Sequence, residues 1–547
     1  MPRPNAAFYY VPDGYSTTGR QLMGINAASE GQLRAMAQYS GVDRLYAFAE
    51  TAEAGRAFAA AVESYNPRLK THWTPTGRPE DLVAVGTLML PGPGLGAYAW
   101  MRRALDPRSF SLCGITHTTA TPVPLDALAE LWTTPVEPWD AVICTSHAVK
   151  AMVTDLVEAQ RQYLVERLGA TSAALPTFPI IPLGVDADAY PSDPELRKRW
   201  RERLQIADKD VVLLFMGRLS PWAKSHPIPL FLAAGMAARR ASTRLRLVLA
   251  GWFAQDGLQE EYAKAAAAIC PDVQVSFLDG RDADVRAEIW QAADIFVSPV
   301  DNIQETFGLT PLEAMAAGLP VIASDWDGYR DTVRRDVDGI LVPTSMPPAG
   351  AGLDLARALT GRVIGSEQFL GLTSQAIAVD VDRLADAIAR LAGRPELRKS
   401  MGESGRQRAR SDFDWKSIIR QYQALWEDLE RVRRSAAERK ASHAYPSRPD
   451  PFRAFRTYPT AQLKETRRVR PGFTDPSMVE VFFNSPLVAF GQSALPPLSE
   501  VQLIMAAAEL DSPTLGDLVF ARGVDDVATR WRAVGWLLKY GFLALLA

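Results

Sequence analysis

Between about residues 208 and 345 the sequence alternates short, nearly continuous apolar runs with longer stretches of helical periodicity. The runs fall at 211–216, 245–250, 273–278, 295–299 and 321–324 and are rich in β-branched residues. A strand that is apolar at every position needs cover on both faces, which predicts a parallel sheet with helices on either side. The same rhythm occurs less cleanly near the start, at 6–11, 45–48, 85–90, 110–117 and 141–145, after which Ser146 is placed to cap a helix over 147–158. Two Rossmann-like, doubly wound α/β domains account for this, one over 1–190 and one over 191–430, with a turn-rich connector at 182–186. A Pro/Gly/Ala-rich stretch ending near 352 marks an insertion in the second domain. It is followed by an amphipathic helix near 381–391 and a closing helix over about 415–434.

Beyond the closing helix the chain changes character. Residues 431–471 carry many arginines and lysines, few acids and several prolines, which reads as a basic linker. Residues 472–547 form a small, mainly helical module, with helices expected at 499–510, 514–521 and 528–540 and a short apolar run at 542–546. That order is winged-helix-like. Its last helix, however, offers only Arg530, Arg532 and Lys539, interleaved with Trp531, Val534, Trp536 and Leu537. Apolar residues at that spacing belong to a core, so the module is expected to pack on the preceding domains or a protein partner rather than to read nucleic acid.

Composition narrows the remaining classes. With 47% hydrophobic residues, 22% charged residues and a formal net charge of −3, the chain has ordinary globular character and no general affinity for nucleic acid. Its three cysteines, Cys113, Cys144 and Cys270, are too scattered for a disulfide framework or a zinc site. The first residues leave no room for a signal-peptide core, and no uncharged apolar run reaches about 18 residues. A cytoplasmic protein is expected, at most peripheral at the inner membrane face.

In an open parallel sheet, ligands bind outside the carboxyl ends of the strands. After the 211–216 run come Arg218 and Lys224, a guanidinium fork and an ammonium on one loop, suited to holding a diphosphate. After the 295–299 run comes Glu305-Thr306-Phe307-Gly308-Leu309-Thr310-Pro311-Leu312-Glu313. Thr310 is an N-cap residue type, Pro311 suits a first helical position, and Glu313 stands where a capping box takes a carboxylate. A short helix is therefore predicted from Thr310, its amide end forming an anion site, with Gly308 allowing close backbone approach and Glu305 free on the preceding loop. Three Asp-x-Asp triplets, starting at Asp186, Asp282 and Asp325, read as solvated loop acids rather than metal ligands.

Together these residues resemble glycosyltransferase family 4. Its second domain carries two glutamates at the spacing of Glu305 and Glu313, a Phe-Gly-Leu signature between them and a cation pair like Arg218 and Lys224. Segments 146–150, 182–186 and 413–415 also match, and the resemblance extends from about 105 to 428. It implies a GT-B architecture and a retaining, metal-independent, hexosyltransferase-like enzyme that needs no cofactor. The co-substrate would be a nucleotide-diphosphate sugar; the acceptor would be a glycan, lipid or protein. By the same resemblance Glu313 binds ribose hydroxyls and Glu305 the donor sugar, the amides from Phe307 through Gly308, Leu309 and Thr310 cradle sugar and phosphate, and His117 stands beside the sugar from the first domain. The family's early paired-glycine loop is not obvious in this sequence, where Gly19, within Thr17-Thr18-Gly19-Arg20, and Gly24 are the nearest candidates. The competing readings are a GT-B epimerase or phosphorylase, and a non-catalytic assembly protein built on a transferase core.

Overall fold

The structure is a computed structural model that describes residues 3–15, 24–171, 173–438, 445–510, 512–520 and 526–546. The chain divides into two compact units, Met1–His443 and Ala444–Ala547.

The first unit holds two six-stranded parallel sheets. In chain order, β1 (Ala7–Tyr9), β2 (Arg44–Ala49), β3 (Lys70–Pro75), β4 (Thr87–Met89), β5 (Ser111–Ile115) and β6 (Ala141–Ile143) form one sheet, ordered β3-β2-β1-β4-β5-β6. The second sheet comprises β7 (Val211–Met216), β8 (Leu245–Gly251), β9 (Gln274–Asp279), β10 (Ile295–Ser298), β11 (Val321–Ser324) and β12 (Gly339–Val342), ordered β12-β11-β10-β7-β8-β9. Side chains alternate between faces along each strand, so a strand buried on both sides feeds two cores. Along β7, Val212, Leu214 and Met216 enter one apolar cluster while Val211, Leu213 and Phe215 enter another. In the first sheet, Phe8 and Ala7 divide in the same way.

The strand order of the second sheet reverses between β7 and β10, which pair in parallel with Ile295 opposite Leu213. Loops leaving the carboxyl ends of two such strands diverge and open a crevice at the switch point. Two of the predicted binding segments leave those two strands.

The chain returns from the second domain to the first. Asp414 caps the helix Trp415–Ser435, accepting from the Lys416 amide at 2.9 Å. Tyr422 and Trp426 of this helix are fully buried, Gln423 Nε2 donates to the Ser40 carbonyl at 3.0 Å, and Arg433 Nη1 donates to the carbonyls of Arg108 and Ser109. The helix that closes the second domain in sequence therefore packs on the first. Where the chain crosses between domains, the Val185 amide donates to the Phe413 carbonyl at 2.9 Å and the Trp415 amide to the Val185 carbonyl at 3.2 Å.

The insertion after β12 forms two short helices, Leu353–Thr360 and Ser366–Ser374, closed by a small antiparallel ribbon of Thr344–Ser345 with Ala378–Val379. The stretch expected as a linker over 431–471 is not uniform. Its start extends the long helix to Ser435, and its end, Val469–Pro471, is a strand paired with Leu543–Leu545 in the second unit. That unit has its own core, in which Val501, Leu515, Val534 and Leu537 are fully buried and Trp536 stacks on Phe542 with ring centroids 5.8 Å apart. Among the described residues, no helix is long and apolar enough to cross a membrane.

Candidate active site at the switch point of the second sheet

The loops after β7 and β10 are tied together by their charged side chains. Lys224 Nζ forms an ion pair with Glu305 Oε2, and Arg218 Nη2 donates to Gln304 Oε1 and to the Ala223 carbonyl, both at 2.9 Å. Burial would push the Glu305 carboxyl up. The Lys224 ammonium, with hydrogen bonds from Lys224 and from the Phe307 and Thr306 amides, outweighs it and holds the group below its ordinary value. Glu305 is therefore ionised, half-buried and fixed, not free as expected from its place on a loop. The Tyr329 hydroxyl lies 3.4 Å from Glu305 Oε2 and 2.9 Å from Ser298 Oγ, bracing the carboxylate from β10.

The helix that follows runs Leu309–Ala316, one residue earlier than expected. Its N-cap is Gly308 at φ 88°, with no side-chain cap, so the predicted Thr310–Glu313 capping box does not form. Thr310 lies too far along the helix to cap it, and its buried hydroxyl has no protein partner. Gly308 is required where it stands: a Cβ there would lie 2.0 Å from Tyr329 Cε1, in a left-handed conformation that other residues avoid. The Phe307 ring is buried and packs against Phe413, with centroids 6.3 Å apart, while its amide serves Glu305. The first amides of the helix, from Leu309 onward, have no intrahelical acceptors and give the crevice a positive end.

Glu313 projects from this helix toward Tyr190, whose hydroxyl donates to it. Burial raises its carboxyl to about 7; the Tyr190 hydrogen bond and the charges of Lys224 and Arg286 oppose the rise. Glu313 thus faces Tyr190 and does not cap the helix.

The first domain contributes the opposite wall. His117 follows β5, and its carbonyl accepts from Thr306 Oγ1 at 3.0 Å, which brings it beside the Glu305 loop. Burial lowers its imidazole to about 4, so the ring is neutral at physiological pH. Thr145 Oγ1 donates to the Thr306 carbonyl at 3.3 Å, Ser146 Oγ to Asp327 Oδ1 at 3.0 Å, and the His147 amide to Asp331 Oδ2 at 2.7 Å. Ser146 also caps its helix, His147–Leu168, by accepting from the Val149 amide. The Asp327 carboxyl is raised to about 7 by burial first and by the Glu305 charge next, and its second oxygen has no partner.

Arg218, Lys224, Glu305, Gly308, Leu309, Thr310 and Glu313 thus lie on two adjoining loops and one short helix, with His117 facing them. Gly19 lies outside the described residues. Tyr190 and Tyr329 carry no sequence signal of their own and join the site only through the fold, and Asp327, expected with the Asp325 triplet to be a solvated loop acid, is instead desolvated and bonded to Ser146.

Residues 197–361 match the family described as Glycosyl transferases group 1. The two Rossmann-like sheets give the chain a GT-B architecture, and its second domain is similar to group 1 glycosyl transferases. The chain is similar to the D-inositol 3-phosphate glycosyltransferase of Geodermatophilus obscurus, 37% identical over 168 residues, covering 30% of this chain and 36% of that protein. It is also similar to the lipopolysaccharide 1,2-N-acetylglucosaminetransferase of Salmonella typhimurium, 28% identical over 206 residues, covering 37% and 51%. The chain spans about a third to a half of the length of the curated relatives it matches. Among solved structures, Anabaena HepE in complex with UDP superimposes with a TM-score of 0.51 at 17% identity, covering 78% of this chain and all of that one. A glycosyltransferase from Rickettsia africae superimposes with a TM-score of 0.50 at 12% identity, covering 78% and 98%. At such identities the superpositions establish the shared fold.

Proposed function

We propose that this chain is a retaining glycosyltransferase that moves a sugar from a nucleotide-diphosphate donor to a glycan, lipid or protein acceptor without a metal ion. The observation that carries the reading is the meeting of Arg218, Lys224 and the N-terminus of the Leu309–Ala316 helix at one switch point, beside two half-buried glutamates. Cleaving the bond between sugar and diphosphate builds negative charge on the departing phosphate and positive charge on the anomeric carbon. A guanidinium, an ammonium and oriented amides stabilise the first from fixed positions, which is worth more than the same groups in water. The ionised Glu305 is suited to the donor sugar, Glu313 to the ribose hydroxyls, and neutral His117 offers the sugar a hydrogen bond without competing for the phosphate. The match to group 1 glycosyl transferases and the UDP held by the structurally similar Anabaena protein support the donor class.

The test is to incubate the full chain with a panel of sugar nucleotides and acceptors in chelator, following nucleoside diphosphate release and the anomeric configuration of the product by NMR. Transfer in chelator with a retained anomer is expected. Activity only with added divalent metal, or an inverted product, would refute the corresponding part. Interconversion of sugar nucleotides without an acceptor would indicate an epimerase instead.

A further inference from the structure

The insertion after β12 brings the helix Ser366–Ser374 onto the loop that carries Arg218 and Lys224. Trp222 Nε1 donates to Glu367 Oε1 at 3.0 Å, and the contact beside it is tight: a Cβ on Gly371 would lie 2.6 Å from Trp222 Cβ. The loop is held from its other side as well, since Asn302 Nδ2 donates to the Trp222 carbonyl at 2.8 Å. Between loop and helix lies an open groove of about 520 Å³, lined among others by Trp222 and the exposed side chains of Gln255, Glu367, Gln368, Leu372 and Gln375. That volume lies within the range of small-ligand sites.

The lining differs in kind from the donor crevice. It contains no lysine or arginine. His226, which also borders it, has its imidazole lowered by burial, so it adds no cation at neutral pH. Glu367 is engaged by the indole N–H. The side-chain amides of Gln255, Gln368 and Gln375 have no hydrogen-bond partner among the described residues, and each can both donate and accept. An anion would meet a carboxylate and no cation here. A purely apolar ligand would strand three amides. A chain of neutral sugars fits both demands, because its C–H faces suit an indole and a leucine while its hydroxyls suit amides that donate and accept.

We propose that this groove is a binding subsite for a neutral glycan chain, separate from the donor crevice and built by the insertion. The assignment goes beyond the donor reading and does not depend on it. Trp222 lies between Arg218 and Lys224 in sequence, so a glycan seated here presses on the loop that faces the donor.

A printed array of neutral and acidic glycans, probed with the full-length protein, tests the proposal, followed by calorimetry with the best-retained oligosaccharide. Retention of neutral glycans is expected. The double substitution Gln368→Ala with Gln375→Ala, at two exposed positions, should weaken that binding at least tenfold, and Trp222→Phe should do so less. UDP affinity, measured in parallel, should stay within twofold in the double variant, which separates this subsite from the donor site. Retention of no glycan, selection of sulfated or sialylated glycans, or equal binding by wild type and double variant would each overturn it.

Discussion

The Lys224 ammonium closes an ion pair on Glu305 and so joins the loop after β7 to the loop after β10, across the line where the sheet reverses. Both side chains are mostly buried. Truncating one partner of such a pair leaves an unpaired buried charge, at a cost of about 3 kcal/mol or more. Lys224→Met should therefore lower the melting temperature and raise the Glu305 carboxyl above its ordinary range, with loss of donor binding. Glu305→Gln keeps the shape and relieves the desolvation. It should reduce kcat at least a hundredfold with little change in donor affinity. Steady-state kinetics beside calorimetry check the contrast, and wild-type turnover in Glu305→Gln would remove that residue from the chemistry.

Glu313 makes a prediction about pH. A carboxyl raised to about 7 in the folded state binds its proton more tightly than in the unfolded chain. The stability it contributes is present in full at acidic pH and is lost as pH rises toward and through 7. Glu313→Gln mimics the protonated acid. It should match wild type near pH 4.5 and exceed it at pH 8 by roughly 1 to 3 kcal/mol, since each tenfold change in proton affinity is worth about 1.4 kcal/mol. Denaturant melts of the unliganded protein at the two pH values measure this. Donor affinity in the same variant should fall, a trade of site function against stability.

Gly308→Ala should damage both fold and site. The added methyl must enter the space of the Tyr329 ring, and φ 88° is itself strained for alanine. A loss of about 2 kcal/mol from the backbone term alone is expected. Tyr329→Ala removes the clash, so the double variant should recover part of the lost stability in a double-mutant cycle while leaving Glu305 without its hydroxyl neighbour. No recovery would show that the backbone term alone limits the site.

The two compact units predict a clean truncation. A chain ending at residue 438 keeps the whole Trp415–Ser435 helix and its anchors at Arg433, and it should melt cooperatively and bind UDP as the full chain does. Residues 445–547 enclose their own core of Val469, Val501, Leu515, Val534 and Leu537 and should fold alone, as circular dichroism would report. Loss of UDP binding on truncation would assign the second unit to the active site.

The sheets are legible in the sequence where burial leaves an unbroken apolar signature. The 211–216, 245–250 and 321–324 runs lie within or coincide with strands β7, β8 and β11. Strand β3, Lys70-Thr-His-Trp-Thr-Pro, leaves no such signature because only one of its residues, Thr74, is buried. An edge strand with one dry neighbour carries little pattern. Strand β12, Gly339–Val342, opens on a glycine directly after the charged turn Arg334-Arg335-Asp336-Val337-Asp338, which masks its three apolar residues. In the site, residue types at fixed spacing mark Arg218, Lys224, Glu305 and Glu313, since spacing along a loop or helix is local. What each carboxylate does is not legible. Thr310 and Glu313 satisfy the capping-box pattern, yet the backbone places Gly308 at the cap and turns Glu313 toward Tyr190, far earlier in the sequence. Tyr329 and Asp327 act through partners that only the fold supplies.

The paired crossings at Val185 and Asp414 give the two sheets a common pin. Because the crossings are hydrogen-bonded to each other, sliding one sheet past the other would tear both. The residues proposed to grip the donor, Arg218, Lys224, Glu305 and Glu313, all ride on one leaf. His117 rides on the other leaf, which reaches across where Ser146 Oγ donates to Asp327 and the His147 amide to Asp331. The proposed donor grip is therefore built on one sheet alone, and the other sheet adds its wall only through contacts that cross from leaf to leaf.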